Sequence, residues 1–155
     1  MMLYSRKTHN KDKLFKLMES VGGLNKQPNN QIINEKNKIV KDFVEYTLDY
    51  IGGVNEKPSV DVQFECEINE NPASEMKSFA CYYPDKKHIY IVGCNRNLAD
   101  VLRSLAHELV HHKQNIDGVL HEDSGKSGSE HENQANALAG EIMRNYGKQN
   151  PKIYE

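Results

Sequence analysis

Histidine supplies the strongest chemical signal in this chain. Of seven histidines in 155 residues, five (His107, His111, His112, His121 and His131) fall in one short stretch of the C-terminal half. Within that stretch, His107-Glu108-Leu109-Val110-His111 has the form HExxH. On an α-helix, positions i and i+4 stand one above the other, so both imidazoles can bind one ion. Glu108 is turned about 100° from His107. Its carboxylate then sits beside the ion, where it can take a proton from metal-activated water and pass it on. The chemistry expected of such a pattern is metal-assisted hydrolysis, with Glu108 as the catalytic acid and base.

A catalytic zinc takes a third protein ligand and keeps one position open. A histidine six residues after His111 is ruled out as that ligand, because Asp117 stands there. His121 and His131 are further options, in loop-like and helix-start surroundings. The best candidate is Glu132, which opens Glu132-Asn133-Gln134-Ala135-Asn136 on the next helical segment. Glu130 is its rival, two residues away and on another side of that helix. Asn136, one turn after Glu132, can hydrogen-bond a ligand side chain. For the oxyanion of a tetrahedral intermediate, the candidate donor is His121, with His131, Tyr82, Tyr83 and Tyr90 as further choices. His112 follows a ligand and points off the metal face, so solvent exposure is expected for it.

The elements that must hold these residues are legible as periodicities. Leu98, Val101, Leu102, Leu105 and Leu109 make one apolar side of a helix that Asn97 can cap and that runs to about Ile116, with Gly118 just past its end. A second helix opens at Ser129 or Glu130 and runs to about Tyr146, ending at Gly147. Ala135 and Ala139 are small enough for close packing against the metal helix, while Leu138, Ile142, Met143 and Tyr146 give it an apolar face. The connector from Val119 to Gly128 is polar and reads as a mobile link or as a lid over the site.

Upstream, Ile32, Ile39, Val40, Phe43, Val44, Thr47, Leu48 and Ile51 recur at helical spacing from Gln31 to Ile51, and Gly52-Gly53 stops that helix. Val60, Val62, Phe64, Cys66 and Ile68 alternate with polar residues as in a half-buried strand. Phe79 to Tyr83 and His88 to Val92 flank Pro84-Asp85-Lys86-Lys87, the pattern of a hairpin. A loop is expected at Asn69 to Pro72. The fold class is α+β, a small antiparallel sheet of about three strands packed on helices. Residues 1–30 form a polar N-terminal segment with one short helix (Asp12 to Val21) and a loop over Lys26 to Asn30. Residues 31–155 form one domain.

Composition narrows the function classes. Hydrophobic residues make up 37% and charged residues 27%, and the mean hydropathy is −0.76. No apolar run approaches the roughly 18 residues of a membrane span. No apolar stretch follows the first charges, so a secretory signal is not expected and the chain reads as cytoplasmic. Twenty Lys and Arg against 22 Asp and Glu leave a net charge of −2 without a basic stripe, so no nucleic-acid partner is expected. Cys66, Cys81 and Cys94 are odd in number, widely spaced and lack a CxxC pair, so neither a disulfide scaffold nor a zinc knot is expected. They agree with a reducing compartment and are read as small buried or half-buried residues.

HExxH followed by ExxAN on a second helix resembles the gluzincin zinc metallopeptidases. The resemblance is nearest to the small ImmA/IrrE-type peptidases and to small metallopeptidase-like proteins of bacteriophages. It covers His107 to Met143 and implies a zincin-like site. His107, His111 and Glu132 would be zinc ligands and Glu108 general base and acid, with one zinc per chain and a peptide or protein substrate. In such folds the edge strand before the metal helix binds extended substrate, a role open here to His88–Val92 or Phe79–Tyr83. No helix-turn-helix or sensor segment accompanies the motif. A phage enzyme acting on peptidoglycan would be released by lysis or carried on the virion. The alternative function is a non-catalytic zinc-binding structural or interaction protein on the same fold.

Overall fold

The computed structural model describes residues 26–66 and 79–155. The expected helix at Asp12 to Val21, Ile68 of the first strand and the loop at Asn69 to Pro72 lie outside them. Among the described residues the fold is α+β, with three α-helices, two short 3-10 turns and a three-stranded mixed sheet. No helix among them is long and apolar enough to cross a membrane.

Helix α1 spans Lys26–Ile51. It begins earlier than the periodicity suggested, taking in Lys26 to Asn30, since neither Pro28 nor the asparagines forbid a first turn. Val40, Phe43, Thr47 and Leu48 are its buried stripe. Gly52 and Gly53 adopt φ of 71° and 70°, and the Gly52 N–H closes the helix on the Leu48 carbonyl at 2.9 Å. This is the left-handed exit that glycine makes cheaply.

Strands β1 (Ser59–Gln63), β2 (Ala80–Tyr83) and β3 (His88–Val92) lie in the order β1-β3-β2. β2 and β3 are the expected antiparallel hairpin, with Tyr83 opposite His88. β1 runs parallel to β3, with Val60 beside Ile89 and Val62 beside Ile91. The wholly antiparallel expectation is therefore corrected. Alternation tells which face of a strand is buried but not its neighbour or its direction. β1 pairs with β3 and not with β2, and because β2 carries the chain back antiparallel, β3 runs the same way as β1. β3 is also central, so it cannot serve as the substrate-binding edge. Val60, Val62, Ala80, Tyr82, Ile89 and Ile91 all join the hydrophobic core. The pleat sends Cys81, Tyr83, His88 and Tyr90 to the opposite face.

Helix α2 (Leu98–Ile116) follows Asn97, as its apolar stripe predicted. Val101, Leu102, Leu105 and Leu109 are fully buried. Helix α3 spans Glu130–Gln149 and continues through Gly147, which is buried beneath Tyr154. Ala135, Ala139, Ile142 and Met143 form its inner face, and the two small residues let it approach α2 closely. At its far end, the Phe43 ring meets the Tyr146 edge at 4.9 Å, and the Tyr146 hydroxyl donates to Asp42 at 2.8 Å. These contacts lock α1 against α3.

Cys66 and Cys94 form a disulfide, and Cys81 is free. This pairing is not expected from the sequence; it forms because the fold brings the chain leaving β1 beside the turn between β3 and α2. Sequence separation hid this proximity.

Candidate metal centre

The site forms where the middle of α2 faces the first turn of α3. The leucine stripe turns one side of α2 into the core, and this rotation sets His107 and His111 on one face. Their rings meet at 4.7 Å between centroids with a 79° angle between planes. Ser129 caps α3, its Oγ accepting the Glu132 N–H at 3.1 Å and donating to the Ser124 carbonyl at 2.7 Å. A Glu three residues after a capping Ser commonly reaches back to the cap. Here Glu132 reaches across to the neighbouring helix.

Its two oxygens are divided between the two histidines. Glu132 Oε1 lies 2.9 Å from His107 Nε2, Oε2 lies 2.9 Å from His111 Nε2, and the two Nε2 atoms are 3.1 Å apart. Zinc bound at 2.0–2.1 Å in a tetrahedron has ligand atoms about 3.3–3.4 Å apart. The triad fits an ion after opening by a few tenths of an ångström, and its two imidazoles and one carboxylate suit a divalent transition metal. His107, His111 and Glu132 could therefore hold a metal ion. Among the described residues no other group of three His, Cys, Asp or Glu converges in this way.

Glu108 is 8% exposed. Burial, and then the Glu132 charge, push its carboxyl up to about 8. Burial also holds His107 below the usual histidine range, outweighing the pull of Glu132. Asn136 hydrogen-bonds His107 and favours its protonated form, so it contacts a triad member as its spacing suggested.

The other candidates fall outside the convergent triad. Glu130 is exposed on the first turn of α3. His131 Nδ1 accepts from the buried Ser124 hydroxyl at 2.7 Å. The His121 and His131 rings meet edge to face, 5.2 Å between centroids, and His121 Nδ1 accepts the Asp123 N–H at 3.2 Å, capping the short 3-10 turn Glu122–Gly125. The connector is thus an ordered turn bound to the start of α3. Tyr83 and Tyr90 lie on the sheet face away from the helices, and the Tyr82 hydroxyl is committed to His112. None of the three is placed to serve an oxyanion.

His112 is fully buried, correcting the expectation that it faces solvent. Its Nε2–H donates to the Glu56 carbonyl at 2.6 Å, while its Nδ1 accepts from the Tyr82 hydroxyl at 2.8 Å. Asn115 donates to that same hydroxyl at 2.9 Å and to the Pro84 carbonyl at 3.0 Å. A neutral histidine meets both needs, and burial lowers its pKa accordingly. Gln114, overlooked in the sequence, is 3% exposed and touches His111 Nδ1 at 2.8 Å. Its position three residues after a ligand, on the same helix face, was the available signal.

Comparison with protein-family models, with curated proteins and with solved structures finds no match.

Proposed function

We propose that this chain is a zinc-dependent metallopeptidase of the gluzincin type, hydrolysing peptide bonds with Glu108 as general base and acid. The observation that carries this reading is the convergence of His107, His111 and Glu132 within 3.1 Å of one another, with buried Glu108 on the intervening turn. A metal site that is purely structural has no use for a buried carboxyl at that place.

Zinc at the triad supplies Lewis acidity toward a carbonyl oxygen and brings the pKa of water toward 7. Glu108 accepts the proton of the attacking water and delivers it to the leaving amine. Without a metal, Glu108 keeps its proton near neutral pH, because burial and the Glu132 charge push it up to about 8. When Glu132 serves as a ligand, the second of those causes is relieved, and Glu108 moves toward the carboxylate form a base needs. Asn136 steadies His107. For the oxyanion we assign His121: its Nδ1 is occupied as an acceptor, so the neutral ring carries its proton on Nε2 as a donor.

The test is elemental analysis of wild type and Glu108→Gln, followed by cleavage of a peptide library. Each is expected to hold about one zinc per chain, with cleavage by the wild type alone. A wild type that takes up no metal when zinc is supplied overturns the proposal. Equal cleavage by both proteins removes Glu108 from its role.

A further inference from the structure

Resting on the metal-site reading above, we infer that Gln114 is a positioning residue that fixes which nitrogen of His111 is offered to the metal. The His131 carbonyl, in the first turn of α3, can only accept a hydrogen bond. The Gln114 side-chain nitrogen lies 3.1 Å from it, and 2.7 Å from Gln134 Oε1. The Gln114 amide is thereby held with its nitrogen toward α3 and its oxygen toward His111. That oxygen, also only an acceptor, lies 2.8 Å from His111 Nδ1, so Nδ1 carries the proton. An imidazole that ligates a metal is neutral and has a single N–H. His111 Nε2 therefore presents its lone pair, and this is the atom facing His107 Nε2 at 3.1 Å and Glu132 Oε2 at 2.9 Å.

The consequence is that α3 contributes twice to the site. It brings the Glu132 carboxylate directly, and through the His131 carbonyl and Gln114 it sets the tautomer of a ligand on α2. With leucine at 114, His111 Nδ1 loses its acceptor, the proton is released to move to Nε2, and there it blocks the ligand lone pair. Outer partners of metal-bound histidines typically change metal affinity by about 10- to 100-fold. Gln114→Leu is expected to weaken zinc binding within that range. Gln114→Glu gives up the bonds to the His131 carbonyl and Gln134 but keeps an acceptor for His111 Nδ1–H, and is expected to bind zinc more tightly than Gln114→Leu.

The experiment measures zinc affinity by competition with a chromophoric chelator for wild type, Gln114→Leu and Gln114→Glu. It is paired with proton–nitrogen NMR of the histidine rings in the zinc-loaded proteins. Support is a protected His111 Nδ1–H with zinc on Nε2 in wild type and Gln114→Glu, together with lost protection and weakened binding in Gln114→Leu. Zinc on Nδ1 in the wild type, or unchanged affinity in Gln114→Leu, overturns the role of Gln114 while leaving the metal site intact. A wild type that binds no zinc overturns the metal-site reading and this inference with it. Should Gln114→Leu fail to fold, the wild-type spectrum still decides.

Discussion

Replacing Glu132 by Gln, with Glu130→Gln as its partner, asks whether the triad acts as one metal site. The ligand atoms are already 2.9, 2.9 and 3.1 Å apart, so little of the binding free energy is spent on ordering them. A ligand held a hundredfold above its Kd stabilises the folded chain by about 2.7 kcal/mol. For a chain of this length each kcal/mol moves the melting temperature by roughly 2–4 °C. Zinc should then raise the wild-type Tm by about 5–10 °C, and a chelator should abolish the rise. In Glu132→Gln an uncharged amide replaces the carboxylate, and its NH2 group confronts an imidazole lone pair. Taking the affinity loss as about 100-fold, the same zinc concentration sits near the new Kd. The linkage then falls to about 0.4 kcal/mol, or roughly 1–2 °C. Glu130 is exposed and outside the triad, so Glu130→Gln should keep the full shift. Differential scanning calorimetry with and without zinc reads all three proteins. A wild type whose Tm ignores both zinc and chelator, or a Glu132→Gln shift equal to that of wild type, refutes the reasoning.

Three other perturbations test the scaffold. His112→Phe leaves the Glu56 carbonyl and the Tyr82 hydroxyl without their partner, and should cost about 2–4 kcal/mol in urea unfolding. The same histidine predicts a pH effect. Its folded pKa is lowered by burial, so the unfolded chain takes up the proton first as pH falls through about 6.5. His112 thus costs nothing above that pH and progressively destabilises the fold below it. The wild type should lose more stability between pH 7 and pH 5 than His112→Phe does, and parallel losses would contradict this. Ala139→Leu overfills the 2%-exposed contact face of α3 and should destabilise by about 1–3 kcal/mol. Zinc affinity should drop with it, since the same face sets the spacing of Glu132 from the histidines. Cys66→Ser opens a disulfide that links residues 28 apart, which chain entropy values at about 3–4 kcal/mol. Equal unfolding midpoints for wild type and variant would count against that contribution.

What the sequence revealed was local. The leucines of α2 fixed both its extent and its rotation, so the shared face of His107 and His111 followed from spacing alone. Ser129 or Glu130 marked the start of α3 in the same way, and the hairpin of β2 and β3 was read from its turn residues. The features that escaped depend on what lies opposite a residue in space. The parallel run of β1 follows from its place beside β3 and not β2, the Cys66–Cys94 pairing from the return of the chain past β3, and the burial of His112 from Tyr82 and Glu56. Gln114 escaped for a different reason: a glutamine on a polar helix face is ordinary until a carbonyl and a ligand histidine are found on either side of it.

His111 and His112 show how adjacent residues of one type acquire opposite duties. A helix turns them about 100° apart. His111 thus faces α3, its Nδ1 against Gln114 and its Nε2 aimed at the triad. His112 faces the sheet and the segment after α1, with its proton on Nε2 and its lone pair on Nδ1. The acceptors beside them place a proton on Nδ1 of His111 and on Nε2 of His112, so the two rings carry these protons on different nitrogens. The two contacts also oppose each other mechanically. The His112 bonds to β2 and to Glu56 resist rotation of α2 about its axis, while Gln114 resists it from the α3 side. A helix restrained on both flanks presents His107 and His111 at a fixed angle to Glu132. The buried network on the rear of α2 therefore belongs to the candidate metal centre as much as to the core, and on the proposed function weakening it should be felt in zinc affinity as well as in stability.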